Sequence, residues 1–381
     1  MNKILIINTE YREFGGEDSN IVDEIAVLSK HYEVECVNFS NKGRLNIIDF
    51  FSFFLRSNIS SNKEIIKKIK EFGPDIVYIH NLWFKGNLGF FKKLLKKNIK
   101  IVLKIHNFRF DCAKSFLLNK HLNGNEFCYK CGIENKHIFL NKYFKNSYIK
   151  SILLIWFNKK YLSIINNKHI NLFVLNNFYK EFLEDAGFQK DRIFISHNPI
   201  SLKNNISYNF NSSYVIYAGA LTKEKGIIEL VKYWHESKIK CDLYIAGTGN
   251  LKNQITKLAR NNVQFLDELP HNQVLKLIEE SKAVITATKM YEGQPRLFFE
   301  AMCNGVPIIY PSFGGLDEYF PPNYSLAFKQ YDYIDFVKKI KLLENKNLLE
   351  HESERLFKNF EQNFQEEKII NNFNVILDNE T

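Results

Sequence analysis

Two glutamates in the last third of the chain have a spacing that could let them act on one ligand. Glu292 and Glu300 have seven residues between them in the stretch YEGQPRLFFEAMCNGVPII. A helix is predicted from Arg296 to Cys303, and eight helical positions are a little over two turns, so both carboxylates can face one crevice. The free amides at the start of that helix attract phosphate. A ligand with both phosphates and hydroxyls, such as a nucleotide sugar, suits this arrangement.

The flanking segments predict a strand–loop–helix–strand unit that positions these glutamates. Residues 283–287 and 306–310 read as buried strands, Gly305 stops the helix between them, and Gly314 and Gly315 make a turn. Such a crossover joins parallel strands. The loop with Glu292 therefore lies at the carboxyl edge of a sheet, where open α/β proteins bind ligands.

Strands and helices alternate through most of the chain and predict an α/β protein with two Rossmann-like domains. The polar tract 201–213 follows an Asn-Pro pair and is the best linker. We therefore predict an N-terminal domain over 1–200 and a C-terminal domain over 201–358.

Residues 291–307 resemble the Glu-x7-Glu signature of group 1 (family 4-like) retaining glycosyltransferases of bacterial surface polysaccharide synthesis. A Gly-x-Pro directly follows Glu292, Glu300 begins a Glu-Ala-Met, and a second Gly-x-Pro begins at Gly305. These tripeptides add to the likeness. The resemblance implies the GT-B architecture, in which two Rossmann-like domains face each other across a cleft. It also implies that a helix at about 359–381 packs back on the first domain.

The resemblance implies roles for individual residues. Glu292 would bind hydroxyls of the donor sugar, Glu300 the ribose and Lys225 the pyrophosphate. His106, at the end of a predicted strand, would contact the sugar near its reacting carbon, with His80 in support. The predicted catalytic residues are His106, Glu292 and Lys225. The predicted donor-binding residues are Gly15, Gly16, Gly219, Lys225, Glu292, Gly293, Arg296, Leu297 and Glu300.

The predicted phosphate loop, Gly219–Gly226, departs from the family pattern at one position. The family's loop typically reads Gly-Arg-x4-Lys-Gly, and Ala220 stands where the arginine is expected. Arg296 begins the helix whose amides should face the same phosphates, and a guanidinium there would return the missing charge. The alternative is that Arg296 is a surface residue at a helix start.

Cysteines suggest one possible metal site. Cys128 and Cys131 form a Cys-x2-Cys pair, which fits half of a structural zinc site with Cys112 as a third thiolate. The alternative is that these are thiols left over from an ancestral site. No Asp-x-Asp motif is present, so we expect metal-independent chemistry with a nucleotide diphosphate sugar as co-substrate and no required cofactor.

The formal net charge of +10 calls for an anionic partner. Between Glu134 and Glu181 there are eight lysines, interleaved with aromatic residues, and no carboxylate. This pattern is typical of helices at membrane surfaces, and a solvated lysine face is the alternative. The chain opens without a signal-peptide pattern, and its apolar runs are too short to span a bilayer. We therefore expect a cytoplasmic protein, peripheral on the anionic inner face of the cell membrane.

The expected function is hexosyl transfer, with retention, from a nucleotide diphosphate sugar (a UDP-sugar) to a glycan or lipid-linked glycan acceptor. The setting would be synthesis of O-antigen (lipopolysaccharide) or capsule-type polysaccharide. Two alternatives share the fold: a nucleotide-sugar epimerase, and a nucleic-acid glucosyltransferase or binder. Nucleic acid is not expected as a partner.

Overall fold

The computed structural model describes residues 1–10, 16–41, 51–52, 54–83, 85–97, 99–106, 127–128, 133–134, 148–200, 208–209 and 211–378. The chain divides into two compact units. Among the described residues, the first unit contains those up to Cys128, Glu134–Pro199 and those from Glu366, and the second contains Ile133 and those from Ile200 to Gln365. Each unit contains its own parallel sheet of six strands.

The first unit is built on six strands in the order β2-β1-β3-β4-β7-β8. They are β1 (Lys3–Glu10), β2 (Glu33–Ser40), β3 (Ile76–Ile79), β4 (Lys100–Lys104), β7 (Ile170–Val174) and β8 (Ile193–Ile195). A short two-stranded ladder, β5 (Phe127–Cys128) with β6 (Ile133–Glu134), lies between β4 and β7 in the sequence. Every residue of β3 is buried, as expected for a parallel strand covered on both faces.

Helices alternate with these strands. They are α1 (Gly16–Leu28), α2 (Ile59–Phe72), α3 (Phe91–Leu94), α4 (Tyr148–Ile165) and α5 (Asn177–Asp185). Local chemistry explains the ends of α2: the Asn58 side chain accepts from the amides of Ser60 and Ser61, and Gly73 ends the helix at φ 63°.

The second unit repeats this architecture with the order β11-β10-β9-β12-β13-β14. Its strands are β9 (Tyr214–Ala218), β10 (Asp242–Ala246), β11 (Val263–Asp267), β12 (Val284–Ile285), β13 (Ile308–Ser312) and β14 (Ala327–Lys329). Its helices are α6 (Ile227–Ser237), α7 (Lys252–Leu258), α8 (His271–Glu280), α9 (Arg296–Met302), α10 (Tyr333–Lys341) and α11 (Lys346–Asn363). The predicted α/β class with two Rossmann-like domains is confirmed.

The last helix, α12 (Glu366–Asp378), belongs to the first unit. Its residues Ile369, Ile370, Phe373 and Ile376 join a core cluster with β1, β3, β4 and β7. The prediction placed the returning helix from about residue 359, whereas residues up to Asn363 form α11 of the second unit. None of the helices in the described part of the chain has the length and apolar composition that a bilayer crossing requires.

Candidate functional site

The loop from Gly219 to Gly226 lies directly after β9, at the carboxyl edge of the second sheet. Gly226 has a φ of 67°, and a Cβ there would lie 1.8 Å from the carbonyl oxygen of Ala287. Only glycine fits this position, because backbone of the neighbouring segment occupies the space of a side chain. The loop is therefore pressed against the end of β12, and Lys225 stands just before the eleven-residue helix α6.

The loop after β10 holds the same segment from the other side. The amide of Leu221 donates to the carbonyl of Thr248 at 2.8 Å, and a Cβ on Gly249 would lie 2.3 Å from the carbonyl oxygen of Leu221. The amide of Gly219 donates to the carbonyl of Ala246 at 3.0 Å. The backbone that carries Lys225 is thus fixed between two neighbouring strand ends.

Lys225 and Glu292 form an ion pair. Oε1 of Glu292 accepts from Nζ of Lys225 at 2.6 Å and from Oγ1 of Thr288 at 3.1 Å. The Lys225 side chain keeps 30% of its surface exposed and Glu292 keeps 15%. Two residues that sequence assigns to one site therefore meet, and both retain surface that a ligand can reach.

Glu300 is the centre of a second cluster. The residue is only 5% exposed, and its Oε1 lies 2.7 Å from Nε of Arg296 and 2.7 Å from Nε2 of His271. Because an ionised carboxylate only accepts hydrogen bonds, His271 donates through Nε2. Arg296, predicted as a phosphate ligand, is thus bound through Nε to the carboxylate one helical turn further along α9.

Gly293 and Leu297, which were also predicted to bind the donor, make structural contacts within the second unit. The carbonyl of Gly293 accepts from the Tyr319 hydroxyl at 2.6 Å, which fixes the loop after Glu292. Leu297 packs against the core of the unit. Helix α9 has only seven residues, so its dipole is weak, and the predicted attraction of phosphate depends mainly on Lys225.

In the first unit, His80 and His106 lie side by side at the ends of β3 and β4. Nδ1 of His80 is 2.9 Å from Nε2 of His106, and the rings stack at 20° with centroids 5.2 Å apart. Gly16 is the first residue of α1, whereas Gly15 lies outside the described residues.

A buried ion pair lies next to these histidines. Nζ of Lys104 donates to Oε1 of Glu24 at 2.9 Å, and the Tyr78 hydroxyl donates to the same oxygen at 2.7 Å. Both charged side chains are fully buried. Sequence reasoning missed this pair, although a lysine inside an apolar parallel strand was a usable signal, since charged residues are buried only when they are paired.

Burial keeps this histidine cluster neutral. It lowers the pKa of His80 well below its usual value, and His106 and Lys104 act in the same direction. Burial also lowers the pKa of His106, opposed by Glu17 and Glu24 and reinforced by Lys104. The pKa of His197, whose carbonyl lies 3.4 Å from Nζ of Lys104, falls to about 4 because of burial and the lysine charge.

Most of the predicted zinc site lies outside the described residues. Cys112 and Cys131 lie outside the described residues, and only the backbone of Cys128 is described, in β5. Among the described side chains, no group of three metal-ligating residues comes together.

Comparison with known proteins gives this geometry a context. Residues 202–363 match the family described as glycosyl transferases group 1. An uncharacterized glycosyltransferase of Methanocaldococcus jannaschii is 23% identical over 256 residues, which is 63% of this chain and 64% of that protein. A second one from that organism is 28% identical over 126 residues, 31% of this chain and 32% of the relative. The chain thus spans less than two thirds of each curated relative.

Solved structures match over nearly the whole chain. Sucrose-phosphate synthase from Thermosynechococcus elongatus has a TM-score of 0.71 at 12% identity and covers 99% of this chain and 98% of its own. HepE of Anabaena, in complex with UDP, has a TM-score of 0.65 at 14% identity, with 98% and 99% covered. A lipopolysaccharide outer core galactosyltransferase has a TM-score of 0.59 at 17% identity, with 97% and 99% covered. Residues 202–363 therefore carry the match to the group 1 glycosyl transferases, and the chain has the fold of GT-B glycosyltransferases.

Proposed function

We propose that the protein transfers a sugar from a nucleotide diphosphate sugar, a UDP-sugar, to a hydroxyl of a glycan acceptor with retention of configuration. The observation that supports this most is the pairing of Lys225 with Glu292 at 2.6 Å, in a loop whose glycine contacts fix the lysine at a sheet's carboxyl edge. A lysine cation suits a pyrophosphate, and a carboxylate beside it can accept hydrogen bonds from the hydroxyls of a sugar.

The proposed reaction needs charge stabilisation more than acid–base chemistry. The bond between the anomeric carbon and the pyrophosphate oxygen breaks, a bond to the acceptor oxygen forms, and the acceptor proton is released with the nucleoside diphosphate as leaving group. Negative charge grows on the phosphate oxygens, and Lys225 is placed to stabilise it. In the free protein Glu292 neutralises Lys225, and a bound pyrophosphate would share the lysine while Glu292 accepts from sugar hydroxyls.

Retention fits displacement on one face of the sugar, because the residues assigned to the site do not include an evident nucleophile. Glu300 would hold the ribose hydroxyls, with Arg296 and His271 orienting its carboxylate. Because Nε of Arg296 is bound to Glu300, its terminal guanidinium nitrogens would be the groups that contact the phosphates.

A screen with purified protein tests this proposal directly. Nucleoside diphosphates and their sugars are compared for thermal stabilisation, and the sugars that bind are then assayed for release of nucleoside diphosphate with glycan acceptors. The anomeric configuration of the product is read by NMR. Release that depends on acceptor supports transfer. An epimerised donor without release would establish an epimerase, and binding to duplex DNA with a steep salt dependence would establish a nucleic-acid protein.

A matched pair of lysine variants tests the assignment of Lys225. Lys225→Ala should lower kcat on the order of 10²–10³-fold, the range for losing one preorganised group that stabilises developing charge. Lys232→Ala is the control, because this lysine pairs with Glu236 on an exposed face of α6. Equal kcat in the two variants would contradict the assignment.

We further propose that the first unit binds the anionic inner face of the membrane, where a lipid-linked acceptor of surface polysaccharide synthesis would be presented. Phe54, Leu55, Ile59 and Trp156 are exposed apolar side chains of this unit. The guanidinium of Arg56 lies 4.2 Å from the ring of Trp156, which brings the segment around Leu55 next to α4. Apolar side chains beside a cation fit an anionic lipid surface.

Vesicle binding tests this surface. Leu55→Ser with Ile59→Ser should reduce co-sedimentation with phosphatidylglycerol vesicles, while Ile334→Ser, at an exposed apolar residue of the second unit, should not. If both proteins sediment as the wild type does, this surface is not the one that binds lipid.

A further inference from the structure

Lys289, in the segment after β12, holds both ends of the short stretch that carries Lys225. Its amide donates to the carbonyl of Glu224 at 2.8 Å, and its ammonium group donates to the carboxylate of Glu229 in the first turn of α6. The Lys289 side chain is 13% exposed and that of Glu229 is 22% exposed. Among the described residues, Lys289 is the only side chain that pairs with Glu229.

The charge of Glu229 on its own would oppose a phosphate at Lys225. Glu229 lies four residues after Lys225, and like charges repel more strongly where little water separates them. A carboxylate without a partner here would also attract Lys225 and compete with a ligand for it. Because the ammonium group of Lys289 contacts this carboxylate, the two side chains form a pair without net charge. A phosphate that binds at Lys225 therefore meets a neutral pair.

We propose that Lys289 is a positioning residue that neutralises Glu229 and holds its carboxylate, so that Lys225 stays available to the pyrophosphate of a donor. This role rests on the proposed function, because it requires Lys225 to bind pyrophosphate. Lys289 acts through Glu229 and not as a phosphate ligand, since its side chain is mostly buried and its ammonium group is bound to the carboxylate.

Removal of the lysine charge tests this role. Lys289→Met keeps the length of the side chain and the backbone hydrogen bond to Glu224, but it leaves Glu229 without a counter-charge. We expect UDP and inorganic pyrophosphate to bind on the order of 10-fold more weakly in calorimetric titration. The affinity for uridine should not change, because uridine carries no phosphate. An equal loss for uridine would show that the substitution disturbs the fold of the site and would contradict the proposal.

A second substitution separates the effect of charge from that of packing. Glu229→Gln in the Lys289→Met background removes the carboxylate charge and should restore most of the lost UDP affinity. Glu229→Gln alone should bind UDP at least as tightly as the wild type, since the lysine charge then remains without its partner. If the double variant binds UDP no better than Lys289→Met, Lys289 does not act by neutralising Glu229.

Lys232→Met is the matched control on the same helix. Nζ of Lys232 lies 3.9 Å from the carboxylate of Glu236, and both side chains are more than half exposed. Its UDP affinity should equal that of the wild type, and a loss as large as that of Lys289→Met would reduce the effect to overall charge. A wild type that binds neither UDP nor pyrophosphate would overturn the proposed function together with this role. A wild type that binds UDP, but no more tightly than Lys289→Met does, would refute the role of Lys289 alone.

Discussion

Glu300 has two roles that substitutions can separate. In the structure it accepts hydrogen bonds from Arg296 and His271, and in the proposed function it binds the ribose. Its Oε1 holds Arg296 and His271 at 2.7 Å each, and the residue is 5% exposed. Glu300→Ala removes the acceptor altogether. Glu300→Gln keeps an amide oxygen that can still accept from one of these donors but loses the charge. The two variants should therefore weaken nucleotide binding to different degrees.

The expected size follows from the contacts. A charge-assisted hydrogen bond that a ribose hydroxyl donates to the carboxylate is worth about 1.5–3 kcal/mol. Converted at 1.4 kcal/mol per factor of ten, Glu300→Ala should weaken UDP binding roughly 10-fold to 150-fold. Freeing Arg296 opposes this loss if its guanidinium moves toward the phosphates, by up to about 1 kcal/mol for a partly exposed pair. With the full opposing 1 kcal/mol, about 0.5–2 kcal/mol remains, so the net expectation is roughly 2-fold to 30-fold weaker binding.

Calorimetric titration with UDP measures this effect, and circular dichroism shows that each variant is folded. The order of affinity should be wild type, Glu300→Gln, Glu300→Ala. Glu280→Ala is the control, since Glu280 faces Lys276 on an exposed side of α8 at 3.7 Å. A folded Glu300→Ala protein with wild-type UDP affinity would remove Glu300 from the nucleotide site.

Three further predictions address the other open assignments. Arg296→Ala should lower turnover on the order of 10²–10³-fold, and adding Ala220→Arg should restore part of it, if Arg296 supplies the missing phosphate charge; wild-type turnover of the single variant contradicts this. The stability of the protein should fall as pH drops from 6.5 toward 4, because the unfolded chain binds a proton at His197 that the native state takes up only at a pKa of about 4. By pH 5 the loss should be about 1–2 kcal/mol in urea unfolding, and a His197→Gln protein with the same pH dependence would refute the cause. Finally, metal analysis of reductively purified protein should approach one zinc per chain if the cysteines bind it, and a clean zero at native stability would mean that they do not. Those cysteines are Cys112, Cys128 and Cys131.

Most of the fold could be predicted because the signals were local. Apolar runs marked β1, β3, β4, β9 and β13 to within a few residues, and glycine or proline lies close to β3, β9 and β13. The alternation with helices then required parallel sheets. Strand β14 was not predicted, since Ala327–Lys329 is too short for a periodic signal. Helix α7 was expected only from the strand–glycine–helix pattern after β10, without bounds, since Lys252–Leu258 buries only Ile255.

The candidate site was less predictable wherever its partners came from distant parts of the chain. Lys225 and Glu292 were predicted by motif, but nothing local shows that they form an ion pair across 67 positions. His271 is 29 positions from Glu300 and begins α8, and no motif around it marks it as a partner of Glu300. Contacts of this kind depend on which strands are neighbours in the sheet and where each strand ends. The spacing of apolar residues along the sequence predicts single elements and does not encode this arrangement.

The polar clusters of each unit are held by groups of the same unit. Lys225 and Glu292 pair within the second unit, where backbone contacts fix the loop of Lys225, and His80 contacts His106 at 2.9 Å within the first. Preorganisation of this kind removes the need to arrange dipoles at the moment of reaction. A substitution inside one cluster should therefore leave the geometry of the other unchanged.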